Sequence, residues 1–126
     1  MRIIESHKTN GCNEAIAIEA DERDPDNGNT SHVYHLRWNI ERDGKPFEVD
    51  QLIQFQHGPI KEVGVNGITN EALLALLIDR MEGFQSGQYR CHDNELALDH
   101  LQYTRLILHK RTMDRVARNV EGTNQA

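Results

Sequence analysis

Arg105, Lys110, Arg111, Arg115 and Arg118 fall between residues 100 and 120 with Asp114 as the single acid among them, in a chain whose formal net charge is −6. Basic side chains near a helix C-terminus complement its dipole and face water, which is the ordinary role for any one of them. Five together leave a local positive field that suits an anion. Arg111 and Arg115 are one helical turn apart, so the spacing predicts two adjacent guanidinium groups. That pairing suits phosphate oxygens and can also stack on a flat base.

A second unusual stretch, GFQSGQYRCHDNELAL at residues 83–98, joins two helix-like segments. Gly and Ser alone would make the connection, yet this turn also carries Phe84, Tyr89, Arg90, Cys91, His92 and Asn94. Taken singly, Phe84 suits core packing and Asn94 suits a helix cap.

Other chemistries find less support. The chain has seven histidines, of which His32 and His35 are the closest pair. In a strand that spacing sends the two rings to opposite faces, and His100 and His109 fall on opposite sides of a helix, so no metal site is expected. Cys12 and Cys91 are the two thiols, and neither sits in a recognisable nucleophile elbow. A Cys in a turn is more often a small packing residue than a nucleophile. GVNGIT leads into a helix but matches neither Gly-rich phosphate-binding pattern. No catalytic residue and no cofactor are expected.

The elements that must position these residues divide the chain. EAIAIEA, HVYHLRWNI and FEVDQLIQF alternate apolar and polar positions as half-buried strands do, with Ile16 and Ile18 on one face of the first. The Asp-Gly pair in RDGK supplies the positive φ angles of a tight hairpin, so the second and third strands should pair antiparallel. The polar loop DERDPDNGNT reads as mobile. After turns at Gly58-Pro59 and Asn66-Gly67, Thr69 can cap a helix over residues 70–85. A second helix can start near Asp93 and run to Gly122, roughly 40 Å at 1.5 Å per residue. The expected fold class is α+β: an N-terminal antiparallel β-sheet packed on a C-terminal long antiparallel helical hairpin. A single domain is expected over residues 1–126, with a β-rich part at 1–66 and the hairpin at 67–124.

The segment ALLALLI in the first helix is apolar around its whole circumference, whereas a helix on one side of a sheet needs only a stripe. That excess predicts a homo-oligomer built through the hairpin. The acidic balance argues against a coat for nucleic-acid polymers and against a polybasic membrane binder. No run approaches the roughly 20 apolar residues of a membrane span. With two cysteines, no CxxC and no apolar leader, a cytoplasmic protein with free thiols is expected.

FQHGPIKEVGVNGITNEALLALLIDRMEGFQSGQYRCHDNELAL followed by HKRTMDRVARNVEGT resembles the phage proteins that share the Thoeris anti-defence and anti-CBASS helical-hairpin domain, over about residues 50–124. The resemblance implies a non-enzymatic sponge. Such proteins bind cyclic ADP-ribose isomers, and in some members cyclic di- or trinucleotides, so that the host's immune effector is not activated. It implies that Phe84 stacks on an adenine and that Asn94 bonds base or ribose. Arg111 in KRT would hold the pyrophosphate or stack, Thr112 and Arg115 would join the ligand-binding set, and Arg90 would serve a second, oligonucleotide-type site. Asn119 stands where the family pattern has Gly. Asn94 and Arg111 are 17 residues apart on one helix, hence roughly 25 Å, too far to grip one mononucleotide-sized ligand. An antiparallel two-fold pairing would bring a partner's Arg111 beside Phe84 and Asn94, which predicts a homodimer, with a hexamer as a trimer of dimers the next assembly. A contrasting expectation is a protein-interaction module that binds and inhibits a host protein through the hairpin.

Overall fold

A computed structural model of the chain describes residues 1–125. The chain forms two compact units, one from residues 1–58 and 65–67, the other from residues 59–64 and from Ile68 onward.

The first unit is a four-stranded sheet of β1 (Arg2–Ile4), β2 (Ala17–Ala20), β3 (Val33–Arg42) and β4 (Lys45–Gln54), with a short helix α1 (Gly11–Glu14) between β1 and β2. Strand order follows the sequence and every neighbouring pair is antiparallel. Asp43 and Gly44 both have positive φ, 53° and 75°, which is the backbone of the expected hairpin turn. The turn sets Arg42 opposite Lys45 and so fixes the register. Tyr34 then faces Ile53, Trp38 faces Val49 and Ile40 faces Phe47. The apolar parity read from each strand therefore lands on one face of the sheet.

The opposite face carries charge. Arg37 bonds both Glu19 and Asp50 at 3.2 Å, and His35 reaches the other oxygen of Asp50 at 3.1 Å. The His35 bond, then the Arg37 guanidinium, holds the Asp50 carboxyl below the usual range. Sequence periodicity does not find β1, because three residues are too few to show alternation.

The loop between β2 and β3 is not the loose segment its composition suggests. The Asp24 N–H donates to the Thr30 carbonyl at 2.9 Å, Asn27 donates back to Asp24, and Asp21 Oδ1 accepts the His32 N–H. Positive φ at Gly28 and Asn29 turns the chain tightly enough for these bonds to close.

The second unit contains α2 (Ile60–Val63), α3 (Asn70–Gln85) and α4 (His92–Ala117). Thr69 caps α3, its Oγ1 accepting the Ala72 N–H at 3.1 Å, and the helix has the predicted bounds. α4 differs from expectation at both ends. Its N-cap is Cys91 rather than Asp93, with Sγ accepting the Asn94 N–H at 3.4 Å. It stops at Ala117, short of Gly122, because Asn119 adopts a left-handed φ of 57°. The Asn119 N–H donates to the Val116 carbonyl and the Val120 N–H to the Arg115 carbonyl. This is the paired-bond C-terminal motif that a residue in the left-handed region closes. No helix is long and apolar enough to cross a membrane among the described residues.

Candidate ligand-binding site

The turn between α3 and α4 is built by its own backbone. The Ser86 N–H donates to the Glu82 carbonyl at 3.0 Å, Gly87 donates to Phe84 and Arg90 donates to Gly87, both at 3.3 Å. Gln85 Oε1 accepts the Cys91 N–H at 3.1 Å and so ties the end of α3 to the start of α4. These bonds satisfy groups that two helix ends would otherwise leave unpaired.

Two aromatic rings stand on this frame. Phe84, half-buried, meets the exposed Tyr89 edge to face, with centroids 6.3 Å apart and planes at 71°. The Arg80 guanidinium lies 5.2 Å from the Phe84 ring centre, a cation–π distance. Asn94 is half-buried in the first turn of α4 and its side-chain amide donates to the Tyr89 carbonyl at 3.4 Å. Phe84 and Asn94 are thus brought to the same end of the hairpin, each in contact with Tyr89. Asp79, Arg80, Gly83, Phe84, Gly87 and Tyr89 line a shallow depression there of about 360 Å³. Arg90 is exposed in the same turn. Sequence reading passed over Arg80, although its position one turn before Phe84 is the signal that would have found it.

Farther along α4, Ile107, Lys110, Arg111, Asp114, Ala117 and Arg118 line an open groove of about 640 Å³. Lys110 is paired with Asp114 at 2.8 Å, and that bond raises the lysine pKa. Arg111 is exposed and Thr112 half-buried beside it. Because α4 is continuous from His92 to Ala117, Arg111 stands roughly 25 Å along the helix from Asn94. The chain does not bring these two together by itself.

The adjacent guanidinium pair expected of Arg111 and Arg115 does not form. Arg115 is only 7% exposed, and its guanidinium is wrapped by the segment after α4. Nε donates to Glu121 at 2.9 Å, Nη2 to the carbonyls of Val120 and Thr123 at 3.0 and 3.2 Å, and Nη1 to the Gln125 carbonyl at 2.5 Å. The reversal of the chain at Asn119 is what turns these acceptors back onto the helix. The groove is left with Arg111 and Arg118 as its arginines.

The segment that folds into this helical hairpin is matched by a known family. The model of the Acb2/Tad1 hairpin domain matches residues 48–112, just over half of the chain. The chain belongs to this family. It is similar to Thoeris anti-defense 1 of Bacillus phage SBSphiJ7, with 41% identity over 73 residues, or 58% of this chain and 51% of that protein. The chain therefore spans about half the length of the curated relative it matches. Phe84, Arg90, Asn94, Arg111 and Thr112 lie inside the family match, and Arg115 lies beyond it.

Proposed function

We propose that the chain is a phage anti-defence sponge: it binds a nucleotide immune messenger and withholds it from the host effector without cleaving it. The observation that carries this reading is the division of the hairpin into an aromatic lip at the turn and a cationic groove roughly 25 Å away on the same helix. A flat base suits Phe84, Tyr89 and Arg80, and phosphate suits Arg111. The aromatic platform belongs to the turn and Arg111 to the groove, so a ligand that uses both needs the two lips together.

The site closes when two copies pair antiparallel, so that Phe84 and Asn94 of one subunit meet Arg111 and Thr112 of the other. Cyclic ADP-ribose isomers carry the base and pyrophosphate that such a pocket would take. Arg90 supports a second site for cyclic di- or trinucleotides. Arg115 acts behind these residues, holding the end of α4 in place through its tail contacts rather than meeting the messenger. The cytoplasm of the infected cell is where this ligand would be met.

Isothermal titration with cyclic ADP-ribose isomers, alongside a panel of cyclic di- and trinucleotides, tests the proposal. Binding should be present in the unaltered chain. Phe84→Ala should weaken it about 5- to 150-fold, the equivalent of one lost base stack of roughly 1–3 kcal/mol. Arg111→Ala should weaken it comparably. Denaturing the loaded protein should release intact ligand. Absence of binding across the whole panel would sink the reading, and recovery of a hydrolysed product would replace a sponge with an enzyme.

A further inference from the structure

Outside the hairpin, three side chains distant in sequence converge at the open end of the β3–β4 hairpin. His32 immediately precedes β3, His57 lies three residues beyond β4, and Asp24 sits in the loop before β3. His32 Nε2 is 3.0 Å and His57 Nε2 3.1 Å from the same oxygen, Asp24 Oδ2. The two rings are stacked, with centroids 3.9 Å apart and planes within 13° of parallel. One nitrogen or oxygen from each residue lies within 4.8 Å of the others.

We propose that Asp24, His32 and His57 form a binding site for a divalent transition-metal ion, with Zn²⁺ the fitting occupant. Zinc takes imidazole nitrogen at about 2.0–2.1 Å and carboxylate oxygen at about 2.0–2.2 Å, so two tetrahedral ligands stand about 3.3–3.5 Å apart. The observed nitrogen–oxygen separations of 3.0 and 3.1 Å are within a few tenths of an ångström of that. Two imidazoles and one carboxylate are a borderline-soft donor set, which disfavours Ca²⁺ and Mg²⁺ with their demand for oxygen. Three protein ligands leave a fourth position for water.

The fixed part of the site is already held. Asp24 Oδ1 accepts the Asp26 N–H at 3.0 Å and Oδ2 accepts the Asn27 side chain at 2.8 Å, which orients the carboxylate. The His32 N–H is anchored on Asp21, its carbonyl accepts the Phe55 N–H at 2.7 Å, and its side chain is 7% exposed. Such outer contacts are what aim a ligand before the ion arrives. The stacked rings point their Nε2 atoms side by side rather than at a common centre, so one ring must tilt. His57 is the ring that can, because its side chain is 51% exposed. Both Nε2–H···O bonds then give way to Nε2–metal bonds, and each ring proton moves to Nδ1. The bound ion would clip the β2–β3 loop to both strands of the hairpin.

Titration of Zn²⁺ into the full chain carrying Cys12→Ser and Cys91→Ser tests this without interference from the exposed thiols. One ion per chain is expected, with affinity falling about tenfold or more in His57→Ala and in Asp24→Asn. Zn²⁺ should raise the thermal midpoint of the parent protein by more than it raises that of His57→Ala. His57 is exposed enough for its alanine variant to fold. Equal binding in parent and His57→Ala would mean scattered surface histidines and would overturn the site, as would no binding at micromolar Zn²⁺.

Discussion

Asn119 ends α4 in a left-handed conformation that costs most side chains roughly 1–2 kcal/mol, but Gly nothing and Asn little. Asn and Gly both satisfy this backbone requirement. Asn119→Gly should therefore leave stability within about 0.5 kcal/mol, whereas Asn119→Ala should lower it by about 1 kcal/mol in urea unfolding followed by helical circular dichroism. Equal losses in the two variants would point to a side-chain contact instead. Asp50 gives a second expectation at this scale. Its folded-state pKa lies below the ordinary value of an aspartate side chain. Its contribution to stability is thus present above that value and is lost as pH falls through the depressed folded pKa. The urea midpoint should drop on acidification below about pH 4, and Asp50→Asn should flatten part of that slope. An unchanged slope would mean that other carboxylates carry the acid sensitivity.

Elements with strong local punctuation were legible from the amino acids. Asp43-Gly44 wrote the hairpin, and with it the register of β3 on β4, while Thr69 wrote the start of α3. What could not be read were arrangements depending on residues far apart in the chain. The first helix turn of α4 is capped by a sulfur, a weak acceptor that propensity ranks below the neighbouring Asp93. Arg115 looked like a surface cation because nothing in its helix announces a returning tail. His32 and His57 were missed as a pair because His35 lay closer in sequence. The hairpin register, extended past Val33 opposite Gln54, does place His32 opposite Phe55 and so near His57. Gly67 is another long-range requirement. A Cβ there would lie 2.4 Å from the Phe55 carbonyl carbon and 2.6 Å from the Gln56 nitrogen, both backbone atoms with little room to give. Gly67→Ala should cost about 3 kcal/mol or more, read as a lowered unfolding midpoint of the β-rich unit. A loss under about 1 kcal/mol would show that the segment yields instead.

At the scale of the molecule, the second unit leaves much apolar surface uncovered by its own chain. Leu76 is 68% exposed, and Leu77, Leu106, Ile107, Met113 and Val116 are also exposed. Exposed apolar residues in number mark an interaction surface, and the proposed pairing of hairpins would cover this one. Light scattering should then give an even number of subunits. Leu76→Glu should shift the mass toward the monomer while leaving helical content unchanged, since the side chain is already exposed within one chain. A monomeric parent protein would remove the second lip of the pocket and with it the split-site reading. The unbroken run of α4 carries a further consequence under that pairing. With no Gly or Pro between His92 and Ala117, the helix acts as a stiff gauge. The gap between the two lips is then set by how far one subunit slides along its neighbour. Messengers should be sorted by their reach from base to phosphate before the identity of the base matters, and a change in that sliding offset would retune the preference without touching a single ligand-facing residue.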